Sequence, residues 1–220
     1  MNESGNKKIE ESFRRTRLSK TFRNIIRKYD LSNRDVLDIG CSNGEFLANF
    51  GNGSLGITIS LEEAICGREK GLDIMVGNIE SKDLAITKNF DVIFSNNLLE
   101  HLYSPHSFLY SIKKYLKPNG ILILGVPCIP VIAPLVLLKK FRGSLAFEHI
   151  NFFTRGTLIQ VVKSAGWDVL EVRGFHFSNV LIDRLLDLIY PHFYVVASPK
   201  RGFKYHEKRL KELGGYDIDL

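Results

Sequence analysis

From Asp35 onward the chain alternates between two hydrophobic periods. Short apolar runs at 36–39, 55–59, 73–76, 90–95 and 120–126 are separated by stretches at 45–50, 61–70 and 105–116 whose apolar residues recur at helical spacing. Strands alternating with helices need crossover connections, and these build a parallel sheet with helices on both faces. The expected fold class is therefore α/β and doubly wound. Further along, 154–165 predicts a helix with Thr154 as N-cap and Gly166 as stop. Residues 167–172 predict a strand, 180–189 a helix and 193–197 a last strand. Lys117-Pro118-Asn119-Gly120 is a turn that ends one helix and launches the next strand. A chain of 220 residues is most simply one domain with one sizeable core.

Open α/β sheets bind ligands outside the carboxyl end of the first strand. Here the corresponding stretch, 36–47, reads V-L-D-I-G-C-S-N-G-E-F-L. Gly40 permits a turn with positive φ, and a following helix would aim its free N–H groups at a ligand. A plain strand–turn–helix corner has the same glycines, so the rest of the chain must decide.

The composition, 45% hydrophobic and 25% charged, is that of a globular protein, and the formal charge of +6 supports only a mild preference for anions. A nucleic-acid partner has no further support. Cys41, Cys66 and Cys128 form no C-x-x-C pair, which indicates neither a disulfide framework nor a zinc site. His106, His176, His192 and His206 show no metal-ligand spacing, so no metal is expected. The polar start M-N-E-S-G-N-K-K and the cysteine usage suggest a reducing, cytoplasmic setting. The greasiest segment, 121–138, is broken by Pro127, Pro130 and Pro134 and is not read as membrane-spanning.

Residues 12–29 predict one amphipathic helix with Leu18, Phe22, Ile25, Ile26 and Tyr29 on its apolar face. Between Ser12 and Lys28 every charge is positive. Such a helix is either a solvated outer face or a peripheral membrane contact. The division expected is a basic N-terminal helix over 1–34 capping the site, a main domain over 35–199 and a charged, loosely held tail over 200–220.

With the alternation in hand, V-L-D-I-G-C-S-N-G-E-F-L resembles the first motif of the class I S-adenosylmethionine-dependent methyltransferases. F-D-V-I-F-S-N-N-L-L-E-H-L (90–102) resembles the family's fourth strand and the E-H pair after it. L-K-P-N-G-I-L-I-L-G-V-P (116–127) resembles its fifth-strand motif. E-H-I-N-F-F-T-R-G-T-L (148–158) resembles a segment of the branch that contains ubiquinone-biosynthesis-type O-methyltransferases. The resemblance implies a Rossmann-like, mostly parallel seven-stranded sheet whose last strand runs antiparallel between its neighbours. It also implies S-adenosylmethionine as cofactor and methyl transfer. Ser95-Asn96-Asn97 is not the N-P-P-Y or D-P-P-Y pattern of enzymes acting on amino nitrogen, so oxygen of a small-molecule, saccharide or lipid-linked acceptor is the expected target.

By the same resemblance, Asp38, Gly40, Cys41, Ser42 and Gly44 would border the methionine part of the cofactor. Thr58, Ile59 and Ser60 would lie by the ribose, Asn78 and Ile79 by the adenine, and Ser95 and Asn96 beyond the fourth strand. Ser42 stands where the motif usually has glycine, and Thr58 where it usually has an acid; Glu62 is the nearest substitute on the next helix. Asn78 stands where an aspartate often faces the adenine amino group. His149 and His101 are the histidines attached to motifs and the candidate general bases. Residues 128–147 would form a variable acceptor-side insertion, with Lys139, Lys140 and Arg142 rimming an apolar lid. A binding or scaffold protein that kept the fold is the alternative. A nicotinamide dehydrogenase fits poorly, because G-x-G-x-x-G would need glycine at Ser42 and Glu45.

Overall fold

Strand β1 (Val36–Ile39) is buried along its whole length, and the sheet is built outward from it. The computed structural model describes residues 3–81, 84, 86–130, 132–138, 145–177 and 179–208. On one side β1 pairs in parallel with β2 (Leu55–Thr58), and β2 with β3 (Ile74–Val76). On the other it pairs with β4 (Phe90–Asn96), and β4 with β5 (Leu116–Ile129), again in parallel. A two-residue strand β6 (Phe153–Thr154) adds to the end of β5. Strand β7 (Trp167–Arg173) forms the far edge, and β8 (His192–Pro199) runs antiparallel between β5 and β7. The order is β3-β2-β1-β4-β5-β8-β7. The expected seven strands and the antiparallel last strand are present, with β6 as an eighth.

Alternation along the strands divides the core into two layers. Leu37, Ile39, Ile93, Leu122 and Leu124 face Phe108 and Leu109 of helix α4 (Pro105–Ser111) and Leu158 and Val162 of α5 (Arg155–Ser164). Val36, Val92, Phe94 and Ile123 face the other way, toward Phe22 and Ile25 of α2 (Lys20–Tyr29) and Ala64 of α3 (Leu61–Glu69). Each of the larger side chains among these contributes about 1.5–3 kcal/mol.

Four local expectations are corrected. The helix over 12–29 is two helices, α1 (Glu3–Leu18) and α2, broken at Ser19. The Ser19 hydroxyl accepts the Phe22 amide as an N-cap, so α2 can press its apolar face on the sheet while α1 turns away. Lys70, just beyond α3, then holds α1 through Glu10 and lies 5.0 Å from the Phe13 ring centroid. Segment 45–50 is not an α-helix but a set of turns ending in one 3-10 turn, Leu47–Asn49. Phe46 and Phe50 both fold onto Phe22 and Phe94, with centroids 4.8–5.9 Å apart, and the Asn49 side-chain Nδ2 donates to the Glu45 carbonyl at 2.9 Å. The expected helix at 105–116 is α4 followed by a 3-10 turn, Ile112–Tyr115. Helix α6 (Val180–Leu186) stops short of 189.

The 117–120 turn lies inside β5, where Asn119 at φ +67° accommodates a register shift against β4. The start of the tail is held: Tyr205 packs on Tyr110 at 5.1 Å and on Phe203 at 5.1 Å. Residues 209–220, and Lys139, Lys140 and Arg142 of the expected lid rim, lie outside the described residues. Among the described residues no helix is long and apolar enough to cross a membrane.

Candidate functional site

The carboxyl ends of β1, β2 and β4 meet at one edge of the sheet, and the residues singled out there divide by what their polar atoms already bind. Asp38 is 1% exposed. It accepts the Leu47 amide, and its Oδ2 has no partner. Burial first, and the nearby Glu45 second, push its carboxyl up to about 8. The loop after it is pinned from behind, since the amides of Gly40 and Cys41 both donate to the Ile57 carbonyl at 2.9 and 3.0 Å. Gly40 takes φ +78° and Gly44 φ +91°. A side chain at Gly44 would also meet Leu72 Cδ1 at 2.5 Å, so both backbone and packing require glycine there. Ser42 adopts φ +50° without being glycine, a conformation costing roughly 1–2 kcal/mol. Cys41 turns its sulfur inward against Gly56, so only its backbone borders the loop. No regular helix begins here, so the loop relies on its own amides and carbonyls.

At the end of β2 a carboxylate reaches the strand from the following helix. Thr58 Oγ1 donates to Glu63 Oε2 at 2.5 Å and accepts the Ser60 amide at 3.2 Å. Ser60 caps α3 by accepting the Glu63 amide at 3.3 Å. Glu62, the expected substitute, is exposed, and the carboxylate that Thr58 meets is that of Glu63. The signal was present: S-L-E-E is a capping-box spacing that fixes residue 63 against the cap. Ile59, next to this pair, is 78% exposed. The Asn78 carbonyl oxygen already accepts the Glu80 amide at 2.9 Å, which leaves its NH₂ group as the outward polar function. Ile79 packs against the core.

At the end of β4 the two expected residues differ. Ser95 is fully buried and its hydroxyl donates to the Ile39 carbonyl at 3.0 Å, tying β4 to β1 rather than facing a ligand. Asn96 Oδ1 is buried without a partner, and Gly125 leaves it room, since a Cβ there would come within 2.2 Å. Asp38 and Asn96 thus present two unpaired oxygens at the ends of adjacent strands. A buried polar atom without a partner costs on the order of 1–3 kcal/mol, which a hydrogen-bonding ligand at this edge would recover. Asn97 follows at φ +54°, and its Oδ1 lies 2.8 Å from His192 Nε2 at the start of β8.

His101 and His149 come together, although 48 positions apart in the chain. Their rings meet edge-to-face at 4.9 Å. Both Nε2 atoms face one Glu100 oxygen, at 3.9 and 4.0 Å, while His101 Nδ1 lies 3.1 Å from the Glu148 carbonyl. Glu100 is 1% exposed, neither carboxylate oxygen has a hydrogen-bond partner, and burial pushes its carboxyl up. The amides of Ile150 and Asn151 donate to the Glu100 carbonyl, so 148–151 is strapped onto this turn. The ligand atoms of Glu100, His101 and His149 lie within 4.8 Å of one another, a donor set able to hold a divalent cation that spacing along the chain did not show.

Beside the strand edge, a cleft of about 470 Å³ runs between α1, α2 and the start of β8. Ser12, Arg15, Ser19, Phe46, His176 and His192 are among its walls. A second hollow of about 530 Å³ shares His176 and is lined by Lys20, Arg23 and Arg27. A groove of about 610 Å³ under α1 includes none of the strand-end residues. His192 and His176, which spacing along the chain did not single out, both line the first cleft.

The pattern that defines a family described as "Methyltransferase domain" matches residues 11–172. Among curated proteins, the mitochondrial ubiquinone biosynthesis O-methyltransferase of Schizosaccharomyces pombe is 27% identical over 71% of this chain and 63% of its own length. That of Haemophilus ducreyi is 30% identical over 67% of this chain and 71% of its own. Among solved structures, an S-adenosylmethionine-dependent methyltransferase from Clostridium acetobutylicum superposes with a TM-score of 0.62 at 14% identity, covering 82% of this chain and 91% of the other. A TehB-like S-adenosylmethionine-dependent methyltransferase from Corynebacterium glutamicum gives 0.61 at 15% identity, over 90% and 100%.

Proposed function

Since this chain belongs to the methyltransferase-domain family, an S-adenosylmethionine-dependent class of enzymes, we propose that its strand edge holds the cofactor and that the cleft beside it takes a small hydroxylated acceptor. The observation that carries the assignment is the pair of orphaned oxygens, Asp38 Oδ2 and Asn96 Oδ1. An amino acid ammonium supplies the donors both lack, and ionised Asp38 supplies its countercharge. The amides and carbonyls of 40–44 would border the carboxylate end of the same group. Thr58 and Glu63 together would grip the ribose hydroxyls, Glu63 standing in for the usual strand-end acid. Exposed Ile59 offers an apolar face to the adenine, and the Asn78 NH₂ group a donor to a ring nitrogen.

Bound S-adenosylmethionine supplies an electrophilic methyl group, and the chain's task is to align an acceptor oxygen with it. The cleft adjoins the cofactor loop at Phe46, which fits that task. Oxygen is the favoured target because Ser95-Asn96-Asn97 lacks the Pro-Pro of enzymes acting on amino nitrogen. The named relatives act as O-methyltransferases in ubiquinone biosynthesis. We assign Glu100, His101 and His149 to positioning on the acceptor side, holding 148–151 in place.

An amphiphilic or lipid-linked acceptor suits the apolar side chains exposed on α6 (Leu181, Leu185) and at Leu137, Leu138 and Phe147. The basic face of α1 and α2 would then meet an anionic surface. Calorimetry with S-adenosylhomocysteine tests the core of the proposal. Micromolar-range binding that is lost in Asp38→Ala is expected, and no binding to the unaltered chain refutes it. Sedimentation with anionic vesicles at low salt tests the surface contact, and absence of binding removes it.

A further inference from the structure

We infer that His192 accepts the proton of the acceptor hydroxyl during methyl transfer, through its Nδ1 atom. The inference rests on the cofactor assignment above and concerns the other wall of the site. His192 opens β8, whose antiparallel course brings its first residue to the carboxyl edge of the parallel strands, opposite Pro127 at the end of β5. Its Nε2 lies 2.8 Å from Asn97 Oδ1, one residue beyond the orphaned Asn96. An amide oxygen can only accept, so Nε2 carries the ring hydrogen and Nδ1 keeps its lone pair. Asn97 is held for this purpose: its backbone amide donates to the Gly125 carbonyl at 2.9 Å, and its φ of +54° turns the side chain toward β8.

His192 lines the cleft that Phe46 of the cofactor loop also lines, whereas His101 and His149 are absent from its walls. His101 has its Nδ1 at the Glu148 carbonyl and turns its Nε2 toward Glu100, 3.9 Å away. Desolvation, together with the neighbouring His176, holds the His192 imidazole well below its ordinary range, so it is neutral and able to accept at neutral pH. The step balances. The acceptor oxygen forms a bond to the methyl carbon, the carbon–sulfur bond breaks with its electron pair left on sulfur, and the hydroxyl proton passes to Nδ1. One positive charge leaves the sulfonium and one appears on the imidazole. An oxygen bearing both a new methyl and its proton is far more acidic than any imidazolium, so even a weakened base suffices.

The test uses the full chain saturated with S-adenosylhomocysteine, with catechol as the acceptor probe. Nitrogen-15 correlation spectra of the histidines should show His192 as the Nε2–H tautomer, and catechol should shift its Nδ1 resonance. Asn97→Ala should mix the tautomers. With S-adenosylmethionine and whichever of catechol and 3,4-dihydroxybenzoate is turned over faster, His192→Gln should lower kcat about 100-fold while S-adenosylhomocysteine affinity stays within about twofold. A protonated Nδ1, no catechol-induced change at that atom, or a kcat loss below about threefold overturns the assignment while leaving the cofactor proposal standing. Failure of the unaltered chain to bind S-adenosylhomocysteine defeats the cofactor proposal itself and this inference with it.

Discussion

Cofactor binding should release a proton, and Asp38 is the reason. In the free chain its carboxyl is 1% exposed and pushed up to about 8 by burial and by Glu45. In an unfolded chain the same group titrates near 3.9. The folded free form therefore binds the proton more tightly than the unfolded one, and its stability falls as pH rises between these two values. A ligand ammonium reverses the preference by favouring the ionised form. At pH 7 removing the proton costs about 1.4 kcal/mol, and binding should release about 0.9 proton. Between about pH 6 and pH 8 the affinity for S-adenosylhomocysteine should rise roughly fifty-fold, since the protonated free form is progressively removed from competition. Calorimetry in two buffers of different ionisation enthalpy reads the proton directly. Asp38→Asn should bind weakly at both ends of that range, with no pH dependence and no buffer dependence. A flat affinity from pH 6 to 8 in the unaltered chain, or equal enthalpies in both buffers, would refute the assignment of the ammonium to Asp38.

Four further outcomes follow from other residues. Glu63→Gln should weaken S-adenosylhomocysteine about tenfold by calorimetry, because the charge opposite the ribose is lost while the Thr58 hydroxyl stays in place. Thr58→Asp should also weaken it, by setting a second carboxylate against Glu63, and adding Glu63→Ala to that variant should restore binding. Ser42→Gly should raise urea stability by about 1 kcal/mol, since glycine takes φ +50° without strain. Phe22→Ala should lower it by about 3–5 kcal/mol, given a ring buried against Phe46, Phe50 and Phe94. A loss under about 1 kcal/mol would mean that α2 does not pack as described.

Periodicity made the sheet legible because both of its layers use it. Val36 and Leu37 point to opposite helices, so the strand reads as a continuous apolar run, and the helices between strands betray themselves by spacing. The failures occurred where side chains overrule spacing. Segment 45–50 has a helical look, yet Phe46 and Phe50 both gain more by joining one aromatic cluster, and Asn49 takes a backbone carbonyl that a helix would have used. Ser19 lies in an unbroken helical pattern, but its hydroxyl caps the second half and lets the first half leave. Asn119 and Ser42 tolerate positive φ, which composition does not announce.

The site divides along the same line. Residues that belong to one stretch, Asp38 with Gly40 and Gly44, could be placed together from the sequence because the chain itself connects them. Thr58 looked like a missing acid for the converse reason: its partner Glu63 is one helical turn on, and the local capping pattern, not the strand, identifies it. His192 was out of reach, since it meets Asn97 only after β8 has doubled back between β5 and β7. Cofactor sites in this architecture lie on loops that follow parallel strands in order, so their residues keep sequence locality. The proposed acceptor wall is closed by β8, which runs antiparallel to its neighbours, and its chemistry is assembled from residues that spacing along the chain gives no reason to associate.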